Sequence, residues 1–63
     1  MEKAKVVEIM VERINITSRS AAVAANQDLI ELEKYILAMQ PQYRELCADM
    51  YDALVAKGII NPE

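Results

Sequence analysis

The chain has no histidine, tryptophan or phenylalanine, and only one cysteine, one glycine and two prolines in 63 residues. Each shortage removes a class of protein. Without histidine there is no side chain whose ordinary pKa suits acid–base work near neutrality. A lone cysteine supplies neither an internal disulfide framework nor a Cys/His zinc site. One glycine leaves no glycine-rich phosphate loop. Scarce glycine and proline, with 54% hydrophobic residues, are the reverse of a disordered composition. No run of about 18 apolar residues occurs, so no membrane-spanning helix is expected. The lack of a cleavable signal pattern points to a cytoplasmic location.

What is present is aliphatic: nine Ala, seven Ile, five Leu, five Val and four Met, with three Tyr as the only aromatics. A chain of this length makes one domain, spanning residues 1–63, and domains so small bury only about 60% of their unfolded surface. With no disulfide or metal to help, self-association is expected, most often as a two-fold dimer. The formal charge is −3, with the acidic excess concentrated after residue 25. Such a chain lacks the positive field that neutralises phosphates, which disfavours nucleic acid and anionic membrane surfaces as partners.

Apolar residues recur at helical spacing almost from the start. Val7, Met10, Ile14, Thr17, Ala21, Ala25, Leu29, Leu32, Ile36 and Met39 follow one another in steps of three or four. Stripe continuity predicts one long helix over about residues 3–39, able to kink near Thr17, where Ile14 to Ser20 is poor in helix formers. Pro41 disfavours helical geometry at Gln40 and suits a first helical position, so a turn is expected at 40–41 and a second helix over about 42–57. That helix carries a broad apolar face with Tyr43, Leu46, Cys47, Met50, Ala53 and Leu54. Gly58 is placed to stop it, with Ile59 folding back on Leu54.

The expected architecture is all-α: a helical hairpin with unequal arms, assembling as a dimeric or larger helical bundle. The short arm leaves the stripe through Val7, Met10, Ile14, Ala21, Ala25 and Leu29 without cover in its own chain, and these residues are the expected oligomer interface. The alternative is a three-helix bundle, with a break near residues 17–20.

The inventory for catalysis is poor. Cys47 lies on an apolar face with no histidine to activate it, so it reads as a small buried hydrophobe. The carboxylate pairs Glu31/Glu33 and Asp49/Asp52 have no histidine to complete a di-iron pattern. No cofactor and no metal are expected, nor is the chain expected to be an enzyme. The polar stretch holding Arg13, Thr17, Ser18, Arg19 and Ser20, followed by Asn26 and Gln27, is the candidate binding segment. A locally unfavourable run can mark a site, and it can equally be a hinge or a polar layer that fixes helix register.

The expected function is therefore a small cytoplasmic interaction protein, a regulator, adaptor or inhibitor that binds a protein partner as a homo-oligomeric bundle. Compact chains of this make-up are common among phage and mobile-element accessory proteins. The alternative is a protein that binds or sequesters an anionic metabolite or nucleotide, with a polar Arg/Ser/Thr site at a subunit interface.

Overall fold

The chain turns at residues 25–28, where Asn26 and Asp28 each have a local reason to leave the helix. Asn26 takes a left-handed backbone conformation (φ 56°), which asparagine tolerates better than other side-chain-bearing residues. This lets the Asn26 N–H reach the Val23 carbonyl at 3.2 Å and the Gln27 N–H reach the Ala22 carbonyl at 2.9 Å. Both are the paired bonds that close a helix C-terminus around a left-handed residue. Asp28 then opens the next helix: its carboxylate accepts from the backbone N–H groups of Ile30 (2.9 Å) and Glu31 (3.3 Å). Glu31 in that first turn places negative charge at the positive end of the helix.

The computed structural model describes residues 2–61, and it is a hairpin of two antiparallel helices, α1 (Lys3–Ala24) and α2 (Leu29–Ala56). No strand occurs among the described residues. The molecule measures 41 × 21 × 15 Å, so its long dimension is the length of α2.

An all-α hairpin was expected, but the boundaries differ from the expected ones. The first helix ends at Ala24 rather than near residue 39, and residues 40–41 lie inside α2. The physical reason is burial. Ile36 and Cys47 are each 2% exposed and lie on opposite sides of Pro41. Both reach α1 only if residues 36 to 47 keep one helical phase. Pro41 is accommodated because it is exposed, as is Leu37. The Leu37 carbonyl, which Pro41 cannot bond, therefore lies on the solvent face, where water can satisfy it.

The alternative break near residues 17–20 does not occur either, since α1 runs through that segment. Tertiary contacts override the poor local propensity. Ser18 is half-buried, and Asn15 and Arg19 both bond to α2.

The arms are 22 and 28 residues long, so α2 covers the whole of α1. Val6, Val7 and Val11 pack with Cys47 and Tyr51, flanked by Met10, Ile14, Tyr43, Ala48, Val55 and Ile60. Val7 and Ile14, expected to await a second chain, are thus covered by α2 of their own chain. Nearer the turn, Ala22 and Ile36 are buried. At the far end Gly58 (φ 75°) stops α2, with its N–H on Val55 and the Ile59 N–H on the Leu54 carbonyl. The side chain that folds back on the core is Ile60, while that of Ile59 stays exposed.

Candidate functional site

The two flanks of the helix–helix seam differ in chemistry. One flank is polar. Arg44 grips Glu8 with two bonds, Nε to Oε2 at 2.8 Å and Nη2 to Oε1 at 3.1 Å. Arg19 grips Glu33 in the same side-on fashion, its Nη2 donating to Oε2 at 3.1 Å and its Nε to Oε1. Between these pairs the Gln40 amide donates to the Asn15 side-chain oxygen at 3.2 Å and to the Ile36 carbonyl at 3.1 Å. Hydrogen bonds from the guanidinium groups hold the Glu8 and Glu33 carboxyls below the usual carboxylate range. The same bonds raise Arg44 and Arg19. Near the open end Lys3 reaches Asp52 at 2.9 Å and sits 6.0 Å from the centre of the Tyr51 ring.

The other flank is mainly apolar, with the exposed Asp49 on its outer edge. Glu33 and Arg44 are eleven residues apart, three helical turns, so they mark one line along α2. Leu46, two residues beyond Arg44, points roughly 200° away from that line. Tyr35, Met39, Leu46, Met50 and Ala53 recur from there in helical steps, forming a second apolar stripe beside the seam. Tyr35, Leu46 and Met50 are 60%, 61% and 56% exposed. The broad apolar face expected on the second helix is therefore two faces. Tyr43, Cys47 and Tyr51 take the seam, whereas Leu46, Met50 and Ala53 look outward. The signal in the sequence was the width of the face, which exceeds the arc one neighbouring helix covers.

The residues of the candidate binding segment do not converge. Arg13, Thr17 and Ser20 share an exposed face of α1, Ser18 turns toward the seam, and the Arg19 guanidinium is held by Glu33. Asn26 forms the turn, and Gln27 bonds back to the Ala25 carbonyl at 3.2 Å. Of the other residues expected at an oligomer interface, Met10 is half-buried at the edge of the core, while Ala21, Ala25 and Leu29 are exposed. An open groove at the turn end is lined by Ala22, Gln27, Asp28, Glu31, Leu32 and Tyr35.

Among the described residues no group of three or more His, Cys, Asp or Glu side chains is placed to hold a metal ion. No helix among them is long and apolar enough to cross a membrane. Neither the sequence nor the fold matches a protein-family model, a curated protein or a solved structure.

Proposed function

We propose that the chain is a small non-enzymatic interaction protein, acting stoichiometrically as a regulator, adaptor or inhibitor. It works by protein–protein binding, as a homo-oligomeric helical bundle. The observation that carries this reading is the apolar flank of α2, where large apolar side chains stand in solvent beside a seam already filled. Contiguous apolar surface rimmed by charge marks contact sites on soluble proteins. Two of its members are methionines, whose flexible thioethers adapt to a partner's shape.

Affinity capture from the native host with the full chain tests the reading, run in parallel with Leu46→Glu and Met50→Glu. A specific protein retained by the unaltered chain and lost by both variants supports it. The same proteins retained by all three chains would refute it. The rival, an anionic-ligand site on the Arg13–Ser20 segment, is weakened by the engagement of Arg19 with Glu33. Thermal shift against a panel of nucleotides tests that rival, because a ligand specific for the folded state raises Tm by mass action.

A further inference from the structure

We infer that the apolar flank of α2 pairs with the same flank of a second copy, antiparallel and about a two-fold axis passing near position 44. This rests on the reading above, that the chain works as an oligomer, and gives it a surface and a register. The first argument is area. A compact protein of 7.1 kDa exposes about 4,100 Å², whereas this hairpin exposes 4780 Å². The surplus of about 700 Å² is close to the roughly 800 Å² that each partner contributes to an interface of standard size.

The second argument is self-complementarity. A two-fold interface must match its own reverse. With Gln42 filling its middle step, the stripe runs Tyr35, Met39, Gln42, Leu46, Met50, Ala53. Reversed about position 44, Tyr35 meets Ala53 of the second copy, Gln42 meets Leu46, and Met39 falls between Asp49 and Met50. The bulkiest residue at one end faces the smallest at the other, as interdigitating layers require.

The third argument is charge. One turn beyond each end of the stripe lie Glu31 and Lys57, and the same register sets Glu31 of one copy against Lys57 of the other. The charged ends are thus opposite in sign, so a parallel arrangement would juxtapose like charges while the antiparallel one pairs them. The single amide in the seam, Gln42, adds a polar mark of the kind that fixes register in helical bundles.

Tyr35→Cys combined with Ala53→Cys, treated with diamide, is the deciding experiment, alongside sedimentation of the unaltered chain at tens of micromolar. The double variant is expected to give a reducible covalent dimer. Either single variant is expected to give none, because two copies of position 35 lie about 27 Å apart along the axis. Leu46→Glu replaces an exposed side chain and is expected to weaken the dimer roughly 100-fold while leaving the helices intact. A chain that sediments as a dimer but whose double variant fails to cross-link, or whose single variants cross-link equally, overturns this pairing and leaves the oligomeric reading standing. A monomer at every concentration overturns both.

Discussion

Replacing Pro41 with alanine should make this protein more stable, by an amount that follows from its place in α2. Proline in a helix interior is about 3 kcal/mol less favourable than alanine, through the lost N–H and the clash with the carbonyl one turn back. Pro41 is exposed, so its ring buries no core surface that the substitution would forfeit. Against the gain stands the stiffness that proline gives the unfolded chain, worth about 0.4–1 kcal/mol. The balance for Pro41→Ala is about 2 kcal/mol in favour of the folded state. At about 4–8 °C per kcal/mol for a domain of this size, Tm should rise by roughly 8–16 °C. Far-UV circular dichroism melts of both chains at one protein concentration make the measurement, since mass action moves the Tm of any oligomer. A Tm that stays level or falls would refute the reasoning. It would mean that proline at this position favours a shape of α2 that follows α1, so that the alanine helix loses more in the seam than it gains in its own backbone.

Ile36→Ala empties the most deeply buried aliphatic position and should cost about 2–5 kcal/mol in urea unfolding, enough to unfold a marginal hairpin outright. Asn26→Gly should be neutral or mildly stabilising, whereas Asn26→Val should lower Tm, since a branched side chain resists the left-handed conformation. Asp28→Ala removes the cap of α2 and should cost about 1 kcal/mol. Acid should weaken the fold through Glu8 and Glu33. Their folded-state pKa values are lowered by the arginines, so the unfolded chain binds these protons more tightly. The pairs' contribution is complete well above the ordinary glutamate pKa of about 4.3 and fades as the pH falls through the lowered folded-state values. Tm measured down to about pH 3 should decline, and the combined variant Glu8→Gln, Glu33→Gln should remove that part of the decline.

The helical class and the pairing of two helices were legible because apolar steps of three and four residues dominate the chain. The location of the turn was written there too, in Asn26, Asp28 and Glu31, but a stripe that crosses the turn without interruption concealed it. Val7, Ile14, Leu32 and Ile36 belong to that stripe and to the seam alike, while Ala21 and Ala25 keep the spacing and face solvent. Periodicity reports a possible face, and capping chemistry reports where the face stops. Pro41 misled for the opposite reason: its local preference was outweighed by burial on either side of it. The polar run from Arg13 to Ser20 was legible as an anomaly. Its resolution required Gln40 and Glu33, which lie on the other helix and leave no trace in local spacing.

The largest apolar cluster lies toward the open end of the hairpin, where Val6, Val7 and Val11 meet Cys47 and Tyr51, rather than beside the turn. This placement bears on the order of events in folding. The capped turn forms from neighbours, yet the contacts that repay it join residues about forty positions apart, and closing so long a loop costs chain entropy before any of them forms. A hairpin weighted at its hinge would zip outward turn by turn. Here the larger share of the buried cluster forms only when the two ends meet, so the slowest-exchanging amides should sit beside Val11 and Cys47, with the hinge exchanging sooner.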